Sequence, residues 1–137
     1  MSDELIIESK DGIGYLRFNR AEKHNAVSYA MWQGIARAAD AFASDEDVRV
    51  VVVSGEGGRA FSSGADISQF EKQRTTADAI EVYNAAVDRA LERLGTLMKP
   101  TIARIQGYCV GGGVGIALSC DLWQAFREER EPRFRGR

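Results

Sequence analysis

The sequence predicts an α/β fold, on three observations. Leu5-Ile6-Ile7-Glu8 and Gly14-Tyr15-Leu16-Arg17-Phe18 are short β-rich runs, and Asp11-Gly12 between them is a hairpin signal. A helical pattern then leads into Val48, Val50, Val51, Val52 and Val53, a β-branched run suited to a strand covered on both faces, as in a parallel sheet. Strand, loop, helix, strand is the grammar of a crossover unit. Finally, two strand-like runs each lead into a glycine-rich loop that opens a helix, at Ser63-Gly64-Ala65-Asp66 and at Gly111-Gly112-Gly113.

Taken in order, the hairpin leaves the sheet at Phe18-Asn19-Arg20 for a polar loop ending at His24-Asn25-Ala26. Ser28 is a good N-cap, and Met31, Ile35, Ala38, Ala39 and Phe42 recur at helical spacing, which predicts a helix over 29–44. Asp45-Glu46-Asp47 ends it. After the valine run come four glycines in the twelve residues Gly55 to Asp66, so backbone rather than side chains is the useful surface there. Ile67 to Gln73 reads as a short helix. Thr75-Thr76-Ala77-Asp78 reads as a capping box for a longer one, with the stripe Ile80, Tyr83, Val87, Leu91, Leu94 and Met98. Thr101 to Ile105 is a short buried strand, and Val114 to Ser119 an apolar helix. Asp121-Leu122 restarts an extended segment, and Trp123 to Phe126 is compatible with strand. Residues 123–137, rich in arginine and glutamate, read as a divergent tail, exposed or disordered, after a core over 1–122.

The chain of 137 residues is one domain's worth of sequence, long enough to bury roughly two-thirds of its unfolded surface. Its net charge of −2 leaves no electrostatic footprint for nucleic acid or an anionic membrane. The apolar runs fall short of the roughly 18 residues of a membrane span. No secretory pattern opens the sequence, so the cytoplasm is the expected compartment. Cys109 and Cys120 form no CxxC pair and His24 is the only histidine, so no metal site is expected. Both cysteines read as buried, reduced, small hydrophobes.

A glycine triplet opening a helix offers unpaired N–H groups and the positive end of the helix dipole, a place for an anion or a charging carbonyl oxygen. The Ser63–Asp66 loop offers the same device again. Amides from two loops can converge on one oxygen, and in acyl chemistry such donors contribute on the order of 3–4 kcal/mol each. Either loop alone equally suits a close packing point between helix and strand. Neither a Walker-type loop nor a dinucleotide Gly-x-Gly-x-x-Gly is present.

The order and spacing of Phe18-Asn19-Arg20-Ala21-Glu22-Lys23-His24-Asn25-Ala26, Arg59-Ala60-Phe61-Ser62-Ser63-Gly64-Ala65-Asp66-Ile67, Lys99-Pro100-Thr101, Gly107-Tyr108-Cys109-Val110-Gly111-Gly112-Gly113 and Ser119-Cys120-Asp121-Leu122 resembles the enoyl-CoA hydratase/isomerase (crotonase) superfamily. The resemblance runs from about residue 5 to 122. It implies a spiral of ββα units, here incomplete because the C-terminal part of the fold is missing, and an enzyme of the hydratase or isomerase type. It implies an acyl-CoA partner, with coenzyme A entering as part of the thioester substrate and no permanently bound cofactor. Full-length members assemble as homotrimers or hexamers. By motif position the thioester oxygen lies between the N–H groups of Ala65 and Gly112, which stabilise an enolate. The family's coenzyme A contacts fall on Lys23, His24 and Ala26, and on Ser63, Asp66 and Ile67.

The chain departs from the family pattern at two places. Hydratases of the family use two glutamates, and such acid–base catalysis is worth roughly 10²–10⁴-fold. The first follows the glycine triplet by two positions, where this chain has Gly115. The second lies beyond the Cys-Asp-Leu motif, where Glu128, Glu129 and Glu131 are near in position but not in motif. The expectation is an amino-terminal portion of a longer protein, cut after Leu122 by truncation or a frame change. The competing expectations are a catalytically silent remnant that binds coenzyme A thioesters, and an unstable fragment.

Overall fold

In the computed structural model the described residues are 3–66, 68 and 76–126. The expected helix over 67–73, with Ile67 as a site residue, lies outside them apart from Ser68; so do Thr75 and residues 127–137 with Glu128, Glu129 and Glu131. Asp11 and Gly12 both take positive φ, 55° and 84°. A two-residue loop with that twist closes a tight hairpin. It joins β1 (Leu5–Lys10) to β2 (Ile13–Phe18), antiparallel, with Lys10 opposite Ile13.

The Ser28 side chain accepts the Met31 N–H at 3.2 Å and starts α1 (Tyr29–Ser44), the helix the apolar spacing predicts. The chain returns as β3 (Val50–Gly55), parallel to β2, with Leu16 beside Val53. Then follow β4 (Ala60–Ser62), α2 (Ala77–Gly95), β5 (Thr101–Gln106), β6 (Tyr108–Cys109), α3 (Gly112–Ser119) and β7 (Leu122–Phe126). The main sheet runs β1-β2-β3-β5-β7, and β4 pairs with β6 in a second, two-stranded sheet. Strand, strand, helix thus occurs as β3-β4-α2 and again as β5-β6-α3, the repeat that the family resemblance implies. The segment Trp123–Phe126 is strand, parallel to β5 and in register from Ile102 beside Leu122 to Gln106 beside Phe126.

One face of the sheet carries the core. Leu16, Val53 and Ala103 sit side by side on three strands, and Trp32, Ile35 and Phe42 of α1 and Leu94 of α2 are buried with them. Each large side chain fully buried there contributes roughly 1.5–3 kcal/mol. On β3 burial alternates: Val51 and Val53 are buried, Val50 and Val52 half-buried. The expected burial on both faces is therefore met on one.

Two expectations for α2 change. Its N-cap is Thr76, whose hydroxyl accepts the Ala79 N–H at 3.0 Å, in place of a capping box started at Thr75. The apolar stripe holds for Tyr83, Val87, Leu91 and Leu94, but Ile80 is 42% and Met98 94% exposed. The helix ends at Gly95, before Met98. Tyr83 packs beside Tyr29, the first residue of α1, so Ile80 lies a turn before that helix begins.

Cys120 is buried, which pushes its thiol up to about 12; Cys109 is half-buried, so only Cys120 meets the expectation for both. No helix among the described residues is long and apolar enough to cross a membrane.

Candidate active site

Pairing of β4 with β6 brings the two glycine loops together. Ser62 lies beside Cys109, and the Val110 N–H donates to the Ser62 carbonyl at 3.2 Å. Beyond β4 the chain turns at Gly64, φ 101°, where a Cβ would stand 2.9 Å from the Gly112 nitrogen. Beyond β6, Gly111 turns at φ 54° and α3 begins at Gly112. A Cβ on Gly112 would lie 3.4 Å from the Ala65 nitrogen, so these two amides are neighbours. Among the described residues neither N–H donates a hydrogen bond. Gly112 is the first residue of its helix, where an N–H has no intrahelical acceptor.

A buried polar network holds the polar loop after β2 against this pair. Asn25 is 1% exposed, and its side-chain Oδ1 accepts the Arg20 backbone N–H at 2.8 Å. Its amide donates to the carbonyls of Glu56 at 3.0 Å and Ala60 at 2.8 Å. The Ser62 hydroxyl donates to the Asn25 carbonyl at 2.9 Å and accepts the Gly64 N–H at 3.1 Å. Val27 forms a bridge with Ala65. From α2, the Tyr83 hydroxyl donates to the Val27 carbonyl at 2.9 Å and accepts the indole N–H of Trp32 at 2.8 Å. Tyr83 of α2, itself bonded to Trp32 of α1, therefore holds Val27, the residue bridged to Ala65.

The predicted site residues converge here, Ile67 aside. Lys23 ends a short 3-10 turn and is exposed. His24 is exposed, with φ 53°, and its ring meets Tyr108 edge-on at 5.8 Å between centroids. Its carbonyl accepts the Ser63 N–H at 3.0 Å. Ala26 is half-buried and its carbonyl accepts from Arg20 at 2.9 Å. Gly115, one turn into α3, faces Leu91: a Cβ there would lie 3.5 Å from Leu91 Cδ1. No group of three or more His, Cys, Asp or Glu side chains among the described residues is placed to hold a metal ion.

Asp66 is committed within the protein. Its carboxylate pairs with Arg20 at 3.0 Å and accepts from the Ser68 hydroxyl at 2.6 Å and N–H at 3.0 Å. Burial pushes its pKa up, but the Ser68 hydrogen bonds and the Arg20 guanidinium outweigh burial and leave it below the ordinary carboxylate value. The folded chain thus binds this proton less readily than the unfolded chain. Its stabilisation is complete above the ordinary carboxylate range and is lost as pH falls through the lowered folded value. The melting-temperature difference between wild type and Asp66→Asn is expected to be largest near neutral pH and to shrink below about pH 4. A difference that stays constant down to acid pH would contradict this.

Residue pattern does not mark Asn25, Arg20, Ser62 or Tyr83 as parts of the site. Asn25 carried a local signal, since asparagine tolerates the left-handed conformation better than other non-glycine residues; its φ is 56°. Tyr83 looked like one more apolar stripe position, and only the packing of α2 on α1 shows its hydroxyl's partners.

Residues 8–136 match the family model for enoyl-CoA hydratase/isomerase. The chain is 37% identical over 125 residues to 4-chlorobenzoyl coenzyme A dehalogenase-2 of Arthrobacter sp, covering 86% of this chain and 43% of the relative. It is 32% identical over 124 residues to the mitochondrial methylglutaconyl-CoA hydratase of Homo sapiens, covering 88% and 36%. The crystal structure of an enoyl-CoA hydratase/carnithine racemase from Magnetospirillum magneticum superposes with a TM-score of 0.84 at 33% identity, over 91% of this chain and 47% of that one. The chain spans less than half the length of these relatives. With the ββα order, the paired glycine loops and the family match over residues 8–136 in agreement, the chain belongs to the enoyl-CoA hydratase/isomerase (crotonase) family.

Proposed function

We propose that this site binds an acyl-CoA thioester and stabilises the enolate formed from it, with the thioester oxygen between the N–H groups of Ala65 and Gly112. The observation that carries the reading is the adjacency of these two amides, each without a protein acceptor among the described residues. Donors fixed before the reaction stabilise developing charge without reorganising. The relatives support the substrate class, since two of them are named for coenzyme A thioesters. Lys23 suits a phosphate as a flexible, exposed ammonium. His24, Ala26 and Ser63 line the coenzyme A path. Asp66 acts by anchoring the loop, because its carboxylate already holds Arg20 and Ser68.

The test is Gly112→Pro. Proline is tolerated at the first position of a helix and removes the N–H. Affinity for a non-reactive acyl-CoA thioester, read by calorimetry, is expected to fall about tenfold or more, with the melting temperature recorded alongside. Unchanged affinity in a folded variant refutes the oxyanion reading.

Gly115 favours a second reading, a binder without turnover. The position where the family resemblance places the first glutamate has no titratable group. Loss of crotonyl-CoA absorbance separates the two: hydration at the rate of ordinary hydratases would show that Gly115 does not silence the site.

A further inference from the structure

A second groove lies away from the glycine loops, between α1 and α2, with a volume of about 370 Å³. That size falls in the range of small-molecule sites. The two helices run in the same direction, because Tyr29 packs beside Tyr83 at one end and Asp40 pairs with Arg93 at the other. From Tyr29 to Asp40 the groove extends about 16 Å at the rise of an α-helix.

The two ends differ in chemistry. At the Tyr29 end the wall includes Val82, which is 54% exposed, and the small residues Ala36 and Ala85 form part of the lining. At the other end stand Arg37, Arg89 and Arg93 with a single aspartate, Asp40. Asp40 is paired with Arg93, while Arg37 and Arg89 have no ion-pair partner among the described residues. Asp40 and, from outside the groove, Glu92 offset Arg93, so the local positive excess rests on Arg37 and Arg89, in a chain whose net charge is −2. Guanidinium groups bind phosphate and carboxylate oxygens by paired N–H donors.

We infer that this groove binds an amphiphilic organic anion, its phosphate or carboxylate head between Arg37 and Arg89 and its apolar body along Ala36 and Ala85 toward Tyr29 and Val82. The site is separate from Ala65 and Gly112 and does not depend on the thioester reading.

The experiment titrates the isotope-labelled chain with octyl phosphate, octanoate, inorganic phosphate and octanol, followed by amide chemical shifts. Octyl phosphate or octanoate is expected to bind about tenfold more tightly than either inorganic phosphate or octanol, because only they engage both ends. Which of the two binds better identifies the head group. The shifts are expected at Ala36, Arg37, Val82 and Arg89 and not at Ala65 or Gly112. Arg37→Gln and Arg89→Gln, both exposed and so expected to fold, should each weaken octyl phosphate about tenfold. Val82→Asp should weaken octyl phosphate and leave inorganic phosphate unchanged. Equal affinity for phosphate and octyl phosphate means an adventitious ion only and overturns the proposal. Shifts confined to Ala65 and Gly112, full affinity in the arginine variants, or no binding overturn it as well.

Discussion

Gly113→Ala is expected to abolish the acyl-CoA thioester binding proposed for this site and to destabilise the chain by about 3 kcal/mol or more. A Cβ at this position would stand 2.4 Å from the Ser62 carbonyl oxygen and 3.1 Å from the Ser62 carbonyl carbon. These are backbone atoms of β4 and cannot swing aside as a flexible side chain can. Either α3 moves off β4 or the pairing of β4 with β6 breaks. Both outcomes separate the Gly112 amide from Ala65. Urea denaturation reads the stability and calorimetry the binding. Gly115→Ala is the internal comparison: two residues on in the same helix, its Cβ would meet only Leu91 at 3.5 Å or beyond. Removing a glycine from a helix interior gains roughly 0.5–1 kcal/mol, so this variant is expected to be at least as stable as wild type. If the two alanine variants melt alike, close contact between α3 and β4 does not hold the site together.

Asn25→Leu is expected to cost about 3–5 kcal/mol, the second large effect. The replacement shares the branching at Cγ but is bulkier, and it removes three hydrogen bonds at once, to Arg20, Glu56 and Ala60. Their backbone partners lie under a residue that is 1% exposed, so water cannot replace the lost side chain. Leucine also tolerates the left-handed backbone less well than asparagine, and φ here is 56°. Asn25→Gly separates the causes. It keeps the tolerance for positive φ but loses all three side-chain hydrogen bonds, so a loss smaller than that of Asn25→Leu is expected in the same denaturation series. A loss below about 1 kcal/mol for Asn25→Leu would show that the two loops are held by other contacts.

Much of the fold was legible in the chain because its signals are local. The Asp11-Gly12 turn, the Ser28 cap and the spacing from Met31 to Phe42 act over a few residues, and the structure reproduces each. The glycine loops were legible as backbone surfaces for the same reason: a run of glycines leaves little else to use. Errors arose where an outcome depended on distant parts. Ile80 and Met98 fit the helical period, yet their exposure is set by where α1 begins and α2 ends. Val50 and Val52 are as β-branched as their neighbours, but the packed helices cover the face that carries Val51 and Val53.

By itself the sequence determined the α/β class, the family and the identity of the two glycine loops, since turn chemistry, periodicity and motif spacing are properties of the chain. Only the tertiary structure decided that the amides of Ala65 and Gly112 are neighbours, because that contact depends on β4 pairing with β6 across more than forty intervening residues. It alone assigned Asp66 to Arg20, and Asn25 to the loop of Glu56 and Ala60. Hydrogen-bond partners far apart in sequence leave no periodic trace, and their identity is fixed by packing.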